Sequence, residues 1–140
     1  MTDDRIPMAH VSALPVSGKA LWIGRVLSGL VVLFLLLDGA IKLVPLPVVT
    51  ETMQQLGYPP DLSRLLGVLT IACTLLYLFP RTAVLGAILL TAYMGGAVAT
   101  HLRIGSPLFT HTLFGVDLGL LIWVGLWLRD PRLRALIPFS

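Results

Sequence analysis

The chain is 140 residues long, 56% hydrophobic and only 12% charged, with a mean hydropathy of +0.91. An average soluble domain carries roughly 25% charged residues, and a globule this small cannot hide so much apolar area in one core, so a soluble enzyme is excluded and the lipid bilayer becomes the solvent for most of the chain. The net charge of +3 comes from basic residues that punctuate the ends of apolar runs instead of forming one stripe, which points to topogenic charges and not to nucleic acid.

In chain order, the first 19 residues read as a disordered cytoplasmic tail. Long apolar runs then follow at about 20–44, 62–79, 82–100 and 108–128. At ~1.5 Å per residue even the shortest reaches about 27 Å, close to the ~30 Å hydrocarbon core. None alternates as a barrel strand would. The fold expected is all-α: one four-transmembrane-helix bundle over 20–128, followed by a basic cytoplasmic tail over 129–140. The first run carries Asp38 and Lys42 and lacks a small-residue cleavage site, so it is not a removable leader.

Arg5, Lys19, Arg25, Arg81, Arg129, Arg132 and Arg134 fall on one side of such a bundle; Lys42, Arg64 and Arg103 fall on the other. The positive-inside rule then gives an N-in, C-in topology. Between the first two spans, Val48, Val49, Thr52, Met53 and Leu56 share one helical face, with Pro47 at its start and Gly57 at its end. This spacing predicts a short helix lying on the outer membrane surface. After the last span, Asp130-Pro131 is expected to cap a short basic helix facing anionic headgroups.

Polar groups inside a span are costly and mark the bundle interior or a function. Asp38 and Lys42 sit four residues apart, acid before base, as a favourable helical pair. That pair either only fixes packing or holds the lysine toward an anionic or carbonyl ligand. Ser63, Gly67, Thr70, Thr74 and Tyr77 form a stripe on the second span, and Gly86, Tyr93, Gly96 and Thr100 one on the third. Small and hydroxyl residues there mostly serve helix packing, but a mid-span phenol such as Tyr93 needs a partner. Asp38, Thr70, Tyr93 and Asp117 lie at similar depths, which predicts a polar pocket open to the extracytoplasmic side.

His101, Arg103 and His111 border the connection between the third and fourth spans. They are expected either to bond loop backbone or, with Lys42, to make a basic mouth for an anion or a quinone headgroup. His101 and His111 could also ligate haem or a metal, but two ligands without Cys or Glu nearby do not define a site, so no metal ligand is assigned. Cys73 is the single cysteine and forms no redox pair by itself, so any redox electrons would pass through a cofactor or partner. Gly115 and Gly119 form a GxxxG opposite Asp117. Either those glycines or Asp117 must face another helix, which points to a homo-oligomer.

Arg25-Val26-Leu27, Asp38-Gly39-Ala40-Ile41-Lys42-Leu43, Leu56-Gly57-Tyr58-Pro59, Pro80-Arg81-Thr82-Ala83, the stretch from Gly95-Gly96 to Thr100-His101-Leu102-Arg103, and Leu128-Arg129-Asp130-Pro131-Arg132 resemble the DoxX-like family. The resemblance implies a multi-pass protein of the bacterial inner membrane. The family takes its name from a subunit of a thiosulfate:quinone oxidoreductase, so a quinone is the implied cofactor. The implied role is a subunit or accessory of a quinone-linked redox system, with a larger redox subunit as partner. The alternatives are a non-catalytic carrier of a small lipophilic or anionic molecule, or a membrane partner that stabilises another complex. Relatives often carry Glu where this chain has Thr70, and Tyr where it has Asp117. This suggests that Asp117 replaces the lost acid in one shared pocket. The expected ligand-binding set is Asp38, Lys42, Thr70, Tyr93, His101, Arg103, His111 and Asp117, with no catalytic residue assigned.

Overall fold

A computed structural model describes residues 15–137; Arg5 and the rest of the expected tail up to residue 14 lie outside them. Ser17 accepts a hydrogen bond from the Ala20 amide and caps α1 (Gly18–Leu43). Pro45 and Pro47 break the chain after α1, because the residue before a proline is pushed out of the helical region. Pro47 then occupies the first turn of α2 (Pro47–Gln55), where its missing amide costs nothing. Next come α3 (Leu62–Leu78), α4 (Ala83–Arg103), a π-helical turn (Leu108–Thr112) that runs into α5 (Leu113–Arg129), and α6 (Pro131–Leu136).

α1 packs on both α3 and α5, and α4 on the same two, so the four long helices form a ring with α1 and α4 on the diagonal. Their contacts fix an up-down-up-down arrangement. Ser28 meets Tyr77 and Gly39 meets Gly67, while Gly24 meets Gly125, Tyr77 meets Gly86 and Val98 meets Gly115. A glycine sits at each of the four crossings, where an added Cβ would strike a neighbour. Close backbone approach of this kind replaces the hydrophobic drive that lipid removes from helix association.

Between the helices lie Leu35, Tyr77, Ala87, Leu90, Ile122 and Leu126, each at most 1% exposed. The stripe read on the second span is the inner face of α3: its buried residues are Ser63, Gly67, Thr70, Thr74 and Tyr77. Tyr77 donates to the Ile122 carbonyl at 2.8 Å and accepts from Ser28 at 3.0 Å, joining three helices through one hydroxyl.

Among the described residues, three helical segments are long and apolar enough to cross a bilayer: Gly18–Leu43, Ala83–Arg103 and Leu108–Arg129. In their most apolar stretches only 28–33% of residues are buried, so the bulk of that hydrophobic surface faces outward and requires lipid. The fourth apolar helix, α3, has 17 residues.

Two local expectations change. α2 does not lie apart on the membrane surface; Val49 and Met53 are buried, because its apolar face finds a cavity between the long helices to cover. α4 continues a turn beyond residue 100, since nothing stops it before Gly105, whose φ of +68° ends the helix. His101 and Arg103 are therefore helical residues. α6 forms where Asp130 caps it, by accepting from the Arg132 amide. Its Leu133 joins the core, and Arg134 folds back over the Trp127 ring to reach the Trp127 carbonyl.

Candidate functional site

The cavity beneath α2 has a volume of about 540 Å³, within the range of small-molecule sites. It lies at the end of the bundle where α1 and α4 finish and α3 and α5 begin. Its body is apolar: Phe34, Leu35 and Ile41 from α1, Met94, Ala97 and Val98 from α4, and Phe114 and Leu118 from α5. Phe34 and Phe114 meet edge to face at 5.5 Å. Both line the cavity and are more than 40% exposed, so this pair is the wall between cavity and lipid. Val48, Val49, Thr52 and Met53 of α2 form the roof.

Polar groups enter at three places. Lys42 donates to Asp38 at 2.5 Å and, across the diagonal of the ring, to the Tyr93 hydroxyl at 3.2 Å. This chain strings a carboxylate, an ammonium and a phenol from α1 to α4 across the cavity. Thr100 spends its proton on the Gly96 carbonyl at 2.8 Å, so the 2.8 Å contact with Tyr58 is donated by the tyrosine. At the third place His101 and His111 stand with ring centroids 5.6 Å apart. Each is oriented through Nδ1, His101 by Ser106 at 3.0 Å and His111 by Thr110 at 2.7 Å.

Two glycine stops build this geometry. At the end of α2 the Gly57 amide bonds to the Gln54 carbonyl and the Tyr58 amide to the Met53 carbonyl, with Gly57 at φ +76°. At the end of α4 the Gly105 amide bonds to Leu102 and the Ser106 amide to His101. Both are Schellman motifs, which require a residue that tolerates left-handed backbone. The first delivers Tyr58 to Thr100; the second returns Ser106 to His101.

Of the residues expected at a site, Asp38, Lys42, Tyr93, His101 and His111 line this cavity, and Thr70, Arg103 and Asp117 do not. Thr70 is fully buried between helices and bonds back to the Leu66 carbonyl at 2.8 Å, so packing satisfies it without a ligand. Arg103 donates to the Leu56 carbonyl at 2.6 Å and ties the end of α2 to the end of α4. Asp117 is exposed on the outer face of α5, because Gly115 turns inward against Met94 and Val98. The single polar layer expected across four helices thus reduces to Asp38 and Tyr93, and Asp117 does not replace an acid in this cavity.

Tyr58 and the roof of α2 were not among the expected site residues. A tyrosine set between Gly57 and two prolines was the available signal, since such a stop fixes where the following side chain points. Among the described residues no three His, Cys, Asp or Glu side chains gather as a metal site.

The whole cavity lies within residues 26–125, the stretch that matches the family model described as the DoxX-like family. The chain belongs to the DoxX-like family. No curated protein and no solved structure matches it. The matched stretch holds α2, α3 and α4 whole together with most of α1 and α5, so the roof helix belongs to the family region as well as the bundle.

Proposed function

We propose that this DoxX-like protein binds a lipophilic molecule whose head accepts hydrogen bonds, a quinone being the best-fitting class, as an accessory or subunit of a quinone-linked redox system. The observation that carries the reading is the Asp38–Lys42–Tyr93 chain, which runs from α1 to α4 in a cavity whose body is apolar. Lys42 and Tyr93 present donors for one ring carbonyl. Asp38 holds the ammonium in place and balances its charge. His101, itself held by Ser106, offers its remaining ring nitrogen to the far side of the head. The apolar body takes the ring and the first part of a tail, and the Phe34–Phe114 wall is where a longer tail would leave toward lipid. A quinone, when bound, would supply two-electron, two-proton redox chemistry; the chain's own residues bind it, orient it and keep water from it.

The same reading has four membrane crossings over 20–128, with both termini at the cytoplasmic face of a bacterial inner membrane and the cavity opening on the opposite side. Its support is the segregation of charge: Lys19, Arg25, Arg81, Arg129, Arg132 and Arg134 belong to one end of the bundle, and Lys42, Arg64 and Arg103 to the other.

The test is binding of a short-chain benzoquinone to protein purified in mild detergent, followed by intrinsic fluorescence. A charge-assisted hydrogen bond is worth roughly 1.5–3 kcal/mol, so Lys42→Met is expected to weaken binding at least tenfold and Tyr93→Phe by less. Equal binding of a tail-matched compound without carbonyls would overturn the assignment of the head.

A further inference from the structure

At the opposite end of the bundle a second, smaller groove of about 190 Å³ opens between α1, α3 and α5. Arg25 and Arg129 both line it, with Ser28, Gly29, Val32 and Leu78 as its floor and sides. We propose that this groove is a binding site for the phosphate of an anionic phospholipid, with the guanidinium groups of Arg25 and Arg129 as its donors.

Three observations converge. Two cations face one groove, and neither has a carboxylate within ion-pair distance; among the described residues the ion pair formed is Lys42–Asp38, at the other end of the molecule. Like charges so placed repel unless an anion lies between them. Arg129 is also incompletely satisfied. It stacks on the Tyr77 ring at 4.9 Å and donates Nη2 to the Tyr77 carbonyl at 3.0 Å, yet its Nε is buried without a partner. A buried, unpaired donor on a charged group is costly, and a phosphate oxygen is the acceptor that a guanidinium fork fits best. Finally, the groove continues into the apolar zone. Nothing lies within 4 Å of where a Cβ on Gly29 would stand, and Val32 and Leu78 flank that slot, so a headgroup held by the arginines would have room for an acyl chain beneath it. This last feature favours a lipid phosphate over a free one. Arg129 ends α5, and Arg25, two turns into α1, stands at the same level because Gly24 packs against Leu128 and Arg129; arginines so placed can extend to the headgroup layer.

The experiment measures thermal unfolding of the detergent-purified full chain with phosphatidylglycerol, with phosphatidylcholine of the same acyl chains, and with inorganic phosphate. Phosphatidylglycerol is expected to raise the midpoint by several degrees more than phosphatidylcholine. Arg25→Gln, a change at an exposed side chain that anchors nothing in the fold, is expected to raise the lipid concentration needed about tenfold, and Arg25→Lys by less. An equal shift with millimolar phosphate would overturn the lipid and leave a free phosphate as occupant. An unchanged phosphatidylglycerol response in Arg25→Gln would overturn the site. The cavity under α2 shares no residue with this groove, so benzoquinone binding stays at its native value in Arg25→Gln and the two proposals fail separately.

Discussion

Asp38 and Asp117 are both acids inside apolar helices, and their surroundings separate them. Asp38 has Lys42 one turn away and Tyr93 beyond it, and that pairing is legible in the sequence because helical spacing alone brings residues four apart together. Which way Asp117 points is not legible from its own helix. Its neighbours Gly115 and Gly119 oppose it, and two ways of turning α5 satisfy the pattern equally until α4 is placed. Val98 and Met94 settle the matter, because only a glycine lets α4 come so close to α5 at position 115. Thr70 has a similar history: depth makes it look like a site residue, while its proton goes to the Leu66 carbonyl and its full burial between helices keeps it out of the cavity. Asp117→Leu should therefore leave benzoquinone affinity within twofold of the native value. It should also favour membrane insertion, since Asp and Leu differ by about 3 kcal/mol at a helix centre. A glycosylation-reporter insertion assay beside the fluorescence titration checks both. A tenfold loss of affinity would bring Asp117 back into the site.

At the scale of elements, the four long helices are legible because long apolar runs have one stable form in lipid. The placement of α2 is not, because an amphipathic helix suits a membrane surface as well as a cavity mouth. The choice is made by tertiary contacts its own sequence does not contain. Val49 and Met53 are buried because a cavity lies beneath them, and the Leu56 carbonyl at the helix end meets Arg103. That last bond recasts Arg103 from a ligand residue into a clasp. Removing it should open the roof while leaving the bundle intact, as loops that cover sites are drawn from the least stable parts of a fold. Arg103→Gln is expected to speed benzoquinone release about tenfold in stopped-flow displacement, with little change in the thermal midpoint. Loss of stability without faster release would mean that the bond supports the fold and not the roof.

For the whole molecule the deciding element is α3. Its 17 residues span about 25 Å at ~1.5 Å each, short of a ~30 Å core. Length alone would set it aside, yet it packs antiparallel to both α1 and α4. From Tyr77 beside Ser28 to Gly67 beside Gly39 it covers the same depth of the bundle as the helix next to it. A short span is accommodated by local thinning and by polar side chains that reach outward from its ends, and exposed Arg64 near its start suits that role. On the proposed four-crossing reading the count is even, so the two termini share a side and the Arg81 turn joins them there. A three-crossing chain would part the termini and bring Arg81 to the side opposite one of them. Reporters fused at either terminus distinguish the two, since alkaline phosphatase is active only outside the cytoplasm and a fluorescent protein fluoresces only within it. Both fusions should fluoresce, and a phosphatase placed after Gly105 should be active. Opposite results at the two termini would remove α3 from the membrane, and with it the wall that seats Lys42 against Gly67.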